Sequence, residues 1–228
     1  MEENKELQKN MNWIVLGLII ITSLVMIFNI IQLQSVKGQL DGVTGRSITV
    51  SESLNTQSDS VTPTGTPEIY GKELGISYDD VSPYDQRRAD ATINILSNLD
   101  NKISLSGADL NRYVNILYVH ENGISCEYCC GARSIIFENG EPACGCAHSY
   151  AMRGLAKYLI TQHGEEYTDE QILEEVGKWK TLFFPTQIQQ KADILQANGV
   201  ELNYINLASN KYRGIEQGQT GGGMVGGC

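Results

Sequence analysis

Residues 126–148 read CEYCCGARSIIFENGEPACGCAH, and these 23 positions hold five of the chain's six cysteines and one of its three histidines. Sulfur at this density has three chemical outlets: metal ligation, disulfides or redox dithiols. Asn139-Gly140, after the β-branched run Ile135-Ile136, is a strong short-range hairpin signal. Such a hairpin carries Cys126, Cys129 and Cys130 to the same end of a ribbon as Cys144 and Cys146. Cys126-x2-Cys129 and Cys144-x-Cys146 are then two close pairs whose sulfurs converge as in a tetrahedral four-thiolate site. Cys130 and His148 extend or substitute that set. The ligands are soft thiolates with one imidazole, so the expected cofactor is a transition metal ion, zinc foremost, with copper or iron as alternatives.

A helix is expected to start near Ala147, placing His148 in its first turn and Cys146 at its N-terminus. The helix dipole there stabilises a thiolate, the species that metals and oxidants both need. The run Cys144-Gly-Cys146-Ala-His148-Ser149 resembles the PCYCGC-motif proteins, which are secreted or lipid-anchored prokaryotic proteins. The resemblance covers about six residues and implies metal binding by Cys144, Cys146 and His148. It departs from the family at the lead-in, where this chain reads Glu141-Pro-Ala-Cys144, and the group at Cys126, Cys129 and Cys130 lies outside the family pattern. Disulfides are the alternative, since Cys126 or Cys129 could bridge to Cys144 or Cys146 across a hairpin. A third reading is a thiol–disulfide oxidoreductase using Cys126-x2-Cys129, with Cys228 as resolving thiol.

Upstream of this stretch the chain is of another character. Residues 13–31 form a run of 19 without a charge, and about 20 apolar residues span a bilayer core as a helix. The expected organisation is a cytoplasmic segment (1–11), a transmembrane helix (12–34), a flexible stalk (35–69), a cysteine-rich helical domain (70–213) and a flexible Gly-rich tail (214–228). Ten of the twenty residues from 47 to 66 are Ser or Thr, too polar to build a core. This composition suits a stalk holding the domain outside the cytoplasm on a single-pass signal anchor. Lys5 and Lys9 before the apolar run and Lys37 and Arg46 after it leave charge nearly silent on orientation. The bilayer is the expected partner, whereas a formal net charge of −10 argues against nucleic acid.

The folded part reads as mainly α, an α+β domain with one cysteine-bearing hairpin. Helices are expected over 86–99, from a Ser106/Asp109 capping box to Val119, over 147–162, from a Thr168/Gln171 capping box to Lys180, and over 186–198. Residues 200–207 read as a short strand. His120 and His163 fall at helix C-termini and read as caps. No P-loop, dinucleotide fingerprint, HExxH, CxxCH or GxSxG occurs, and no carboxylate pair stands out, so no catalytic residue is assigned. The tail carries Met224 and ends in Cys228, a candidate mobile ligand.

Overall fold

The computed structural model describes residues 61–129 and 131–216. The transmembrane helix at 12–34, most of the stalk, Cys130 and Cys228 lie outside the described residues. The chain divides into two units, Met1–Thr56 and Gln57–Cys228, and the second is the one described below. Among the described residues no helix is long and apolar enough to cross a membrane.

The unit is mainly α. Its helices are α1 (Gly71–Leu74), α2 (Gln86–Lys102), α3 (Gly107–Val114), α4 (Ala147–Gln162), α5 (Asp169–Phe183), α6 (Pro185–Ala197) and α7 (Tyr204–Ala208). Helix α4 is the axis of the core. Ala151, Met152, Leu155, Ala156 and Leu159 are all fully buried, so the helix is covered on nearly every side. Helix α2 turns Ala89, Ile93 and Leu96 towards it. The two helices cross closely because Gly154 has no side chain. A Cβ there would lie 2.0 Å from the Leu96 carbonyl oxygen. Helix α5 packs on α4 with Ile172, Leu173, Val176, Trp179 and Phe183. Its N-terminus has the expected capping box, with the Thr168 hydroxyl accepting from Gln171 N–H and the Gln171 side chain accepting from Thr168 N–H.

Residues 61–69, assigned to the stalk on composition, are in part held against the domain. Gly65 O accepts from Tyr78 N–H at 2.9 Å and from the Ser77 hydroxyl at 2.7 Å. Downstream, Tyr70 and Tyr78 donate their hydroxyls to Glu175 Oε2, and Trp179 Nε1 donates to the Tyr70 oxygen at 2.8 Å. This network ties the start of the unit to α5.

Three local expectations are corrected. The strand expected over 200–207 is helical at its C-terminal end. Asn203 caps α7 by accepting from Asn206 N–H at 2.8 Å, and Gly177 leaves room for the Tyr204 carbonyl to close on α5. The helix expected to reach Val119 ends at Val114 and continues as a π-helical turn, Asn115–Val119, and Ser106 makes no side-chain cap. In place of two hairpin strands there is a turn with one isolated antiparallel bridge, Ile136 to Pro142. Phe137 N–H donates to Glu141 O at 2.8 Å and Ala143 N–H to Ile135 O at 3.1 Å, closing the turn around Gly140 at φ 84°.

Candidate metal centre

The closed turn returns the chain so that Cys126, Cys144 and Cys146 meet at the N-terminus of α4. Their sulfur atoms all lie within 4.8 Å of one another. Cys126 Sγ is 3.2 Å from Cys146 Sγ, and Cys144 Sγ is 3.6 Å from Cys146 Sγ. A metal bound tetrahedrally at about 2.3 Å from each sulfur needs them about 3.8 Å apart. Changes in separation of up to about 1 Å would seat an ion, and the donor set suits a soft or borderline metal. Among the described residues, Cys126, Cys129, Cys144 and Cys146 form no disulfide with one another.

Each sulfur is fixed by a different element. Cys146 is the N-cap of α4, and its sulfur accepts from Ser149 N–H at 3.4 Å. Cys144 is set by Arg153, about two turns into α4 and completely buried. Its Nη1 donates to Cys144 O at 2.8 Å and Ile135 O at 3.2 Å, while its Nε pairs with Asp100 at 2.8 Å. Cys126 follows a loop that enters through a bridge from Ile124 to Ser209. It is 1% exposed, and its sulfur lies 2.8 Å from the Ser149 hydroxyl.

The two closest thiols are shifted in opposite directions. Hydrogen bonds to Cys144 and Cys146, together with burial, push the Cys126 thiol well above the usual range. The hydrogen bond from Cys126, helped by His148 and Ser149, holds Cys146 well below it despite burial. Cys146 is therefore the more acidic sulfur of the pair and the readier to ligate an ion as a thiolate.

Of the residues singled out from sequence, the structure converges these three. His148 is fully buried, hydrogen-bonds Cys146, and packs its ring 4.9 Å from Phe183 and 5.0 Å from Phe184. It stands behind the sulfur rather than in the convergent set, an orienting position. Cys129 is half-buried and also outside that set. Glu127 is the cause: at φ 53° it reverses the chain, so Tyr128 N–H closes a tight turn on Cys126 O and the Tyr128 ring packs on Phe184 at 5.2 Å.

Directly beneath Cys126 lies a buried ion cluster that spacing did not signal. Lys180 and Lys191 are completely buried and share Glu127, each at 3.0 Å, with Glu216 Oε2 a further 3.6 Å from Lys191. Burial would raise the Glu127 carboxyl, but the two ammonium groups pull it down to about 2. Burial lowers Lys180 to about 8 against the pull of Glu127. A lysine at a helical core position would have been the only clue, and Lys180 and Lys191 each read as solvated when taken alone.

The fold and site define a small helical domain with a largely buried three-cysteine centre. No protein-family model, curated protein or solved structure matches the chain.

Proposed function

We propose that the domain binds a transition metal through Cys126, Cys144 and Cys146, as a membrane-anchored protein that stores, senses or transfers it. The observation that carries this reading is the convergence within 4.8 Å of three sulfurs, Cys126 and Cys144 buried and Cys146 half-buried, from two segments well separated in sequence. Zinc is the favoured ion, with copper and iron as the alternatives for such donors. A tetrahedral ion would draw its remaining ligand from Cys129, Cys130 or His148, all of which are close in sequence to the centre. Anchoring by residues 12–34 and an extracytoplasmic domain rest on the apolar run and the Ser/Thr-rich stretch after it. The test is metal content of the full chain purified anaerobically, beside a Cys144→Ser variant. Co-purifying metal that the variant lacks supports the reading. Metal-free wild type, with thiols equally alkylatable with and without chelator, contradicts it.

A second reading is favoured by the 3.2 Å approach of Cys126 to Cys146. A thiolate beside a protonated thiol is the reduced half of a dithiol couple, which could exchange with a partner disulfide. Intact mass after exposure to oxidised glutathione separates the two. A bridge between Cys126 and Cys146 that forms as readily in metal-loaded as in metal-free protein favours the redox role.

A further inference from the structure

The loop carrying Cys126 is strained. Three described non-glycine residues have positive φ, and all lie in it or at its entry: Glu121 (48°), Asn122 (64°) and Glu127 (53°). Such conformations persist only where the surroundings enforce them. Gly123 adds a fourth left-handed residue at φ 77°, and a Cβ there would meet the Leu117 carbonyl oxygen at 2.5 Å.

What enforces the loop is residues 209–216. Asn210 N–H donates to Gly123 O at 2.8 Å, and its side-chain amide donates to Asn122 O at 3.0 Å and Arg133 O at 2.8 Å. Its Oδ1 accepts from the Ser125 hydroxyl at 2.6 Å. Arg213 grips the far side of the loop. Its Nη1 donates to Ala132 O at 2.8 Å and Arg133 O at 3.0 Å, and its Nη2 to Gly131 O at 2.9 Å. Gly214 N–H donates to Glu127 Oε1 at 2.6 Å, and Glu216 approaches Lys191. Five backbone carbonyls on both flanks of Cys126 are thus held by one short segment remote in sequence.

We infer that residues 209–216 are a clasp that sets the position of Cys126, with Glu127 as its positioning residue, so that the thiol centre opens and closes with this segment. The inference rests on the three-thiol reading of the site. Glu127 joins both halves of the device: its carboxylate receives the clasp through Gly214 and is anchored below by Lys180 and Lys191. Its backbone turn delivers Cys126 to Cys146 and Ser149. Opening the clasp withdraws Cys126 while Cys144, held by Arg153, and Cys146, the N-cap, stay with α4, which converts a three-sulfur site into a two-sulfur one.

The experiment uses the full chain, reduced, as wild type, Asn210→Ala, Arg213→Ala and Arg213→Lys. The first readout needs no metal: N-ethylmaleimide alkylation of Cys126 followed by peptide mass spectrometry, with Cys146 as internal reference. The clasp requires Cys126 to label faster in both alanine variants, with Arg213→Lys intermediate because it keeps the charge but loses the fork. The second readout is Cd(II) affinity from the thiolate charge-transfer band, expected to fall about 10- to 100-fold in the alanine variants, as for other groups that orient ligands. A Cys126 labelling rate unchanged relative to Cys146 overturns the clasp, whatever cadmium does. Faster labelling in a protein that binds no cadmium upholds the clasp and rejects the metal reading.

Discussion

Glu127 shows how much rests on single residues around the centre. Its carboxylate is the shared counter-ion of two completely buried lysines. Removing one member of a buried ion cluster leaves uncompensated charge and costs about 3–5 kcal/mol. Glu127→Gln should therefore lower stability by that order in urea denaturation, and a loss under about 1 kcal/mol would show the cluster to be dispensable. The sign with pH follows from the shift. A carboxyl moved from 4.5 to about 2 contributes stability that is complete above the unfolded value and is lost as pH falls from about 4.5 towards 2. The contribution amounts to about 3 kcal/mol. Carboxyl carbon NMR should find Glu127 ionised at pH 3, and titration near 4.5 would contradict this. At this scale the sequence was informative about cysteines and nearly silent about their support. Cys126, Cys144 and Cys146 were legible because spacing and a turn signal together bring thiols close. Cys129 belonged to the same pattern, yet the left-handed turn at Glu127 takes it out of the convergent set, and nothing in a non-glycine side chain announces such a turn. The role of Arg153 was equally hidden, because a buried arginine on an apolar helix face looks in sequence like an interruption of it.

Among the elements, α2 and α4 set the frame. Gly154 lies mid-helix, where propensity alone makes Gly→Ala stabilising by about 1 kcal/mol. Packing reverses the sign, because the new methyl would stand 2.0 Å from a backbone carbonyl that cannot move alone. Gly154→Ala should destabilise by about 1–3 kcal/mol or more, read from the denaturation midpoint, and a stabilised variant would mean the helices do not cross this closely. A second element-level device joins α1 to the end of α4. His163 accepts or donates between Glu73, at 3.0 Å, and Glu166, with the Tyr158 hydroxyl donating to the same Glu73 oxygen. Burial would lower the His163 imidazole, but the Glu166 and Glu73 hydrogen bonds outweigh it and raise its pKa. The stabilising contact is complete below 6.5 and is lost as pH rises through the raised folded value. His163 should titrate above 6.5 by NMR, with faster amide exchange over residues 71–75 once it is neutral, and a midpoint at or below 6.5 would contradict the latch. The long helices were legible because apolar periodicity and caps agree with the burial they serve, as at Thr168 and Gln171. The segment at 200–207 was not, because its outcome depends on Gly177 in another helix and on an Asn203 cap rather than on the β-branched residues within it.

At the scale of the whole unit, the three thiols that could hold a metal are shared among a strained loop, a closed turn and a helix N-terminus. Such a site forms only when the tertiary fold is complete, so metal binding and folding stability are coupled. The mainly helical class followed from composition and periodicity, whereas the closing of the cysteine loop by residues 209–216 did not. That contact spans more than eighty residues of sequence, from Arg213 to Gly131 and Ala132, and no local pattern encodes it. The net charge of −10 also bears on the metal, since an acidic chain favours cation approach without specifying its ligands. The most direct test of the central claim is X-ray absorption at the edge of whichever metal co-purifies with, or is titrated into, the reduced full chain. The expected first shell is dominated by sulfur at about 2.3 Å, falling by one scatterer in Cys126→Ser. A first shell of oxygen or nitrogen alone, at about 2.0–2.2 Å and unchanged in that variant, would contradict a thiolate centre at Cys126, Cys144 and Cys146.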